Sequence, residues 1–233
     1  MDMTSDFPGR WAGGATMVAA PLLLLAGALL RVPYDFFYPA QLAAHESEPA
    51  LLTASYALIA AGTFLLWPAV ALLAARIGPG WGLAGGLLAM SGLFARVFHA
   101  GADHMAFRLT DVVGADLATE VVSETYGAFQ PLSFLNVAIL AGWPVLAFGA
   151  WRAEVLGPVR ALALASAAAL PLGVLKGTTP LSLVALAGLA IAFGPYGFAV
   201  LTAHPRPSRA AVLRWAPITL AAVGLMVVLG QAG

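Results

Sequence analysis

Along most of this chain, runs of about twenty apolar residues follow one another with only short polar breaks between them. A helix needs about 20 such residues to cross the hydrocarbon core of a bilayer. Inside hydrocarbon a backbone can satisfy its own polar groups only as a helix or a closed barrel. The pattern predicts an all-α, polytopic transmembrane helical bundle formed as one domain over residues 1–233. Charge content agrees: 61% of the residues are hydrophobic and only 9% are charged, whereas a soluble domain carries about a quarter charged residues. A surface so poor in charge requires the lipid bilayer as its partner. The formal net charge is zero, which leaves no electrostatic footprint for nucleic acid. Cysteine is absent, so neither a disulfide framework nor a thiolate metal site is available.

Seven spans are expected, at residues 11–30, 51–75, 81–107, 129–151, 157–175, 181–203 and 210–229. A break is expected in the sixth, at Gly194, Pro195 and Gly197. Residues 34–48 form a mixed connector with a short interfacial helix. Residues 110–128 read as an amphipathic helix whose apolar face is Val112, Val113, Leu117, Val121 and Val122. The N-terminus lacks a basic region followed by a cleavage site, so its first apolar run is taken as a span.

Alternating spans gather Arg10, Arg76, Arg152, Arg160, Arg206, Arg209 and Arg214 on one side, against Arg31, Arg108 and Lys176 on the other. Basic loops face the cytoplasm, so the N-terminus is expected there. All six tryptophans, Trp143 among them, fall in the same half, as an interfacial belt would. Eight of the acids and every histidine except His204 fall toward the opposite, outer face.

The third span carries the densest polar chemistry. Arg96, His99 and Asp103 are spaced i, i+3, i+7 and share a helix face within an arc of about 60°. A charge at the bilayer centre costs several kcal/mol, so these groups should face the bundle interior. Either they lock helix packing as a satisfied network, or they line a polar pocket open to the outer side. The connector supplies Tyr34, Asp35, Tyr38 and Glu46, read either as interfacial belt and helix cap or as a lid turned inward. Glu124, Tyr126 and Asn136 descend from the amphipathic helix into the fourth span, where a lone Asn commonly serves as glue between helices. Phe94, Phe98 and Phe134 join the outer-half aromatics that could line an apolar chamber. In such a chamber a carboxylic acid favours its neutral form, and aromatic faces stabilise cations.

No metal is expected: His99, Asp103 and His104 lack a familiar three-ligand spacing. No nucleotide loop, dinucleotide fingerprint or serine elbow occurs, so no cofactor is implied. The only lysine, Lys176, lies at a span end rather than mid-span, which argues against a retinal pigment.

In size, span count, intramembrane acids and want of a cofactor motif, the chain resembles the small integral-membrane terpene cyclases of meroterpenoid and indole-terpenoid pathways. The resemblance implies a cofactor-independent isomerase or lyase acting on a hydrophobic prenylated small molecule. Asp103 would be the general acid, assisted by His99 or Arg96, and Glu46, Asp35 or Glu124 would take the final proton. Arg96, Tyr34, Tyr38, Phe94, Phe98, Tyr126, Phe134 and Asn136 would bind the substrate. The chain departs from that family in its last span, which has no acid where a second functional one is expected. Its GRWAGG opening and PYD…HESEP connector are also similar to uncharacterised bacterial membrane proteins of six to seven spans, implying a bacterial plasma membrane, and the orientation set by the basic loops puts the polar site toward the outer leaflet. A proton-coupled small-solute transporter and a non-enzymatic accessory or sensor protein are the alternatives left open by the residues.

Overall fold

The computed structural model describes residues 9–126, 128, 130, 132–203 and 206–231. The regular structure among the described residues is all helical, with no strand. Six helices are long and apolar enough to cross a membrane. They are α1 (Gly9–Leu30), α3 (Pro49–Ile77), α4 (Trp81–Val113), α6 (Asn136–Arg152) taken with the turn before it as Ser133–Arg152, α8 (Pro180–Thr202) and α9 (Arg209–Gln231). A 3₁₀ turn at Ser133–Leu135 leads into α6. The short helices are α2 (Tyr38–Ser47), α5 (Ala115–Tyr126) and α7 (Pro158–Ala165), the last prolonged by a 3₁₀ turn at Ser166–Ala169.

Neighbour contacts close α1, α3, α4, α6, α7 and α8 into a ring. Small residues let the backbones approach, as membrane helices require where no hydrophobic effect drives them together. At the α4–α6 seam a side chain on Gly142 would sit 2.7 Å from the Ala89 backbone, and one on Gly85 would sit 2.6 Å from that of Leu146. At the α1–α3 seam, Ser55 donates to the Gly27 carbonyl at 2.6 Å.

The fifth expected span is not one long helix. Helical backbone ends with the turn at Ala169, and residues 170–179 continue without helix to the start of α8. Pro171 explains the stop: a residue before proline is pushed out of the α region, and Leu170 takes the extended ψ of 137°. Gly173 follows in the left-handed region, and so does Leu175, with φ 51°. An apolar run alone did not reveal that break. The reverse holds in α8, where the expected break at Gly194, Pro195 and Gly197 is absent and helix runs through Pro195. Neighbouring helices tolerate such prolines in membrane segments.

α4 extends past the expected end at residue 107, because no proline or glycine interrupts it before Gly114, whose φ is +83°. At 1.5 Å per residue it is about 50 Å long, more than hydrocarbon requires. The second amphipathic element is therefore α5 alone, and its inward face is not the expected one. Ala115 and Ala118 are buried and Val122 packs beside them, whereas Val112, Val113, Leu117 and Val121 point outward. Trp143 also departs from the expected interfacial belt: it is buried in the bundle, edge-on to Phe193. None of the residues described in α9 is buried. Phe129, where the fourth span was expected to begin, and His204 lie outside the described residues, as do Asp2 and Asp6.

Candidate functional site

The polar face of α4 looks into the ring. Arg96, His99 and Asp103 all line a partly open cavity of about 120 Å³. Its other walls come from α1, α3, α6, α8 and the non-helical segment. Most of the wall is apolar, with Leu24, Ile59, Leu66, Leu93, Trp143 and Leu186 contributing.

Non-helical backbone in a bundle core exposes amides and carbonyls that need partners; where it cannot reach water, side chains must supply them. The α4 face does so. Arg96 donates from Nη1 to the carbonyl of Pro171 at 3.1 Å and from Nη2 to that of Leu170 at 3.2 Å. Asp103 Oδ1 accepts the backbone N–H of Leu175. That bond holds Leu175 in its left-handed conformation while its side chain is buried with Leu42, Phe107 and Ala118. Gly177 N–H donates to the Phe36 carbonyl at 2.7 Å, and Thr178 Oγ1 to that of Ala28 at 2.8 Å. The segment is thus fixed at both faces, and the cavity wall is preorganised.

The three α4 groups do not bond to one another. His99 is buried, with Phe98 edge-on beside it. The cationic partner in the neighbourhood of Asp103 is Arg31, just past the end of α1. Arg31 lines the same cavity and is 7% exposed, and its Nε has no hydrogen-bond partner. Burial pushes its guanidinium below the ordinary value, and the Asp103 carboxylate opposes that push. Lys176 is the third cation in the wall. Its Nζ lies 4.4 Å from the ring centre of Phe37, 5.1 Å from Tyr126 and 5.2 Å from Phe36. Aromatic faces offset the cost of holding that charge away from water.

The remaining expected residues serve elsewhere. Glu46 Oε1 accepts the N–H of Ala115 at 2.9 Å and so caps the first turn of α5, outside the cavity. Asp35 and Glu124 are exposed and form no part of the lining. Tyr38 stacks on Tyr126 at 4.6 Å, and Tyr126 donates to the Val174 carbonyl at 3.4 Å, so both brace the segment from outside. Tyr34 and Asn136 do not reach the cavity. Phe94, Phe98 and Phe134 point outward, at 53%, 40% and 66% exposure, which is the lipid-facing orientation. The lining aromatics are instead Tyr56 and Trp143.

Sequence reasoning passed over Arg31 and Lys176 as wall residues, because each sits at the edge of an apolar run and reads as a span terminator. Their aromatic and proline-rich surroundings (RVPYDFFYP and PLGVLKGTTP) were the available signal. Above the cavity, His45 Nε2 lies 2.9 Å from Asp111 Oδ1, and Arg108 donates to Asp111 Oδ2 at 2.7 Å. This network ties α2 to the end of α4. Among the described residues, no three His, Asp or Glu side chains converge as metal ligands.

In comparisons with known proteins, no family model matches the chain, and neither a curated protein nor a solved structure matches it.

Proposed function

We propose that this chain is an integral membrane enzyme that performs acid–base chemistry on the prenyl end of a lipid-like substrate. The observation that carries this reading is the placement of Asp103, the one carboxylate in a cavity whose wall is otherwise largely apolar. In the cyclase form of the reaction, protonated Asp103 gives its proton to a terminal alkene carbon or epoxide oxygen. The π electrons of the chain close a ring, and the resulting cation returns a proton to the carboxylate. The net change is an isomerisation and needs no added reactant. His99, one turn below on the same face, is the group positioned to pass a proton. Asp35, Glu46 and Glu124 have no part in this scheme, because they do not line the cavity.

The cavity volume limits the substrate. A cavity of about 150 Å³ holds one benzene ring, so 120 Å³ accepts a terminal isoprene unit rather than a whole chain. The remainder would extend through the opening.

In this reading the chain crosses the membrane seven times, with the N-terminus cytoplasmic and the polar end of the cavity toward the outer leaflet of a bacterial plasma membrane. α7 and the extended segment together make the fifth crossing. Two contacts support that course: Arg10 donates to the Ala203 carbonyl, joining the start of α1 to the end of α8, and Gly177 N–H bonds Phe36, joining the start of α8 to the end of α1.

Membranes containing the chain, incubated with farnesylated aromatic acceptors and their terminal epoxides, test the reading by chromatography of the extracted products. Ring-closed isomers are the expected result. Unchanged substrates across the panel would overturn it. The second reading is a purely structural network, favoured by the bonds of Arg96 and Asp103 to the segment backbone. It predicts that no substrate in the panel is turned over.

A further inference from the structure

The charge in the cavity wall is unbalanced. Arg31, Arg96 and Lys176 face a single carboxylate, Asp103, which leaves an excess of two positive charges. Arg96 directs two of its donors at carbonyls, which satisfies its hydrogen bonds but not its charge. Lys176 is held by aromatic rings. Arg31 has neither kind of support. It is more than nine-tenths buried, makes no direct ion pair or hydrogen bond among the described residues, and lines the cavity. A buried guanidinium without a hydrogen-bond partner is costly even with the Asp103 carboxylate in its neighbourhood, and its flat fork of donors matches an oxyanion in two-point contact.

We propose that the cavity binds the oxyanion head of a small amphiphile against Arg31, with the adjoining apolar carbons lying along Leu24, Ile59 and Leu66. The ligand class is an organic carboxylate or phosphate with a short apolar tail. Lys176 adds long-range attraction, and Asp103 sets an upper limit on the charge that can enter. This inference shares the cavity with the enzymatic reading but not its chemistry. Anion binding without turnover removes only the enzymatic reading. Turnover of neutral prenylated substrates without anion binding removes only this one.

The test is calorimetric titration of the whole chain in nanodiscs of zwitterionic phosphatidylcholine, which excludes anionic lipid as a competitor. The probes are hexanoate, hexyl phosphate, hexan-1-ol and inorganic phosphate. Hexanoate or hexyl phosphate should bind at least tenfold more tightly than hexan-1-ol, and inorganic phosphate should bind more weakly than hexyl phosphate. Equal affinity for alcohol and anions would overturn the proposal, and this comparison needs no variant. Inorganic phosphate binding as tightly as hexyl phosphate would also overturn it, because the tail would then lie outside the site. Arg31→Gln should weaken the better anion at least tenfold, and an unchanged affinity in a folded R31Q protein would count against the assignment. Asp103→Asn, which removes a repelling charge and keeps an acceptor for Leu175, should tighten anion binding. Weaker anion binding in a folded D103N protein would contradict the geometry.

Discussion

Asp103 accepts the backbone N–H of Leu175, a residue 72 positions further along the chain and held in a left-handed conformation. One side chain on a regular helix thereby fixes the most irregular stretch of the bundle. Asp103 consequently has two separable duties, as an acceptor for a backbone amide and as the carboxylate of the cavity. Asp103→Asn keeps an oxygen for the first and abolishes the second, whereas Asp103→Leu abolishes both. The Asn variant is expected to unfold within a few degrees of the parent in detergent, with the Leu variant well below it. Loss of one partner strands a buried amide at a cost of about 1–3 kcal/mol. Thermal denaturation of the two proteins side by side checks this.

Arg96 is expected to be a stability residue first. Arg96→Leu leaves the carbonyls of Leu170 and Pro171 without their donors, so a loss of about 2 kcal/mol or more is predicted. In a chain of this size that corresponds to a fall in midpoint of roughly 5 °C. Arg96→Lys retains a point charge but not the two-pronged reach, and should fall between the two. Limited proteolysis should show new cleavage within residues 170–179 in the Leu variant.

The glycine seam between α4 and α6 leaves no room for a side chain. Gly142→Val would drive its branch into the Ala89 backbone, which cannot yield without separating the helices. Overpacking of this kind costs about 1–3 kcal/mol. Gly101 on the same α4 has open space around it, so Gly101→Ala should be tolerated. Folded yield by size-exclusion chromatography distinguishes them.

Glu46 caps the first turn of α5 and lies outside the cavity lining, so the proposed scheme gives it no role as a base. Glu46→Gln keeps the acceptor for Ala115 and should leave α5 as protected from hydrogen exchange as before. Glu46→Ala should expose the first turn of α5, at about 1 kcal/mol for a lost cap. Any turnover should survive in both variants. A collapse of turnover in Glu46→Gln would return Glu46 to the chemistry.

The absence of cysteine makes crossing number directly measurable. Single cysteines replacing Ala153 and Ser208 should react with an impermeant maleimide from the same side of the membrane if residues 158–179 cross it. They should react from opposite sides if those residues do not.

The crossing helices were legible because twenty apolar residues in a row admit few structures in lipid. The α4 face was legible because helical periodicity alone places Arg96, His99 and Asp103 together. Their partners were not legible. Leu170, Pro171 and Leu175 sit in an apolar stretch that reads as helix, and they bond through backbone atoms, which carry no side-chain signature. Arg31 was hidden differently: a basic residue at a span end is ordinarily an interfacial anchor, and only tertiary packing buries it in the cavity wall. Glu46 and the outward phenylalanines had the residue types that a site needs, but their helix faces and caps are decided by tertiary packing.

Isotope incorporation tests the catalytic claim most directly. Membranes bearing the parent chain or its Asp103→Asn variant are given a terminally epoxidised or unsaturated farnesyl acceptor in heavy water, and the products are weighed by mass spectrometry. Proton-initiated ring closure at Asp103 predicts a cyclic product from the parent, with one deuterium gained at the protonated carbon of the alkene substrate, and none from the variant. A cyclic product formed equally by both proteins, or no product from either, would contradict it.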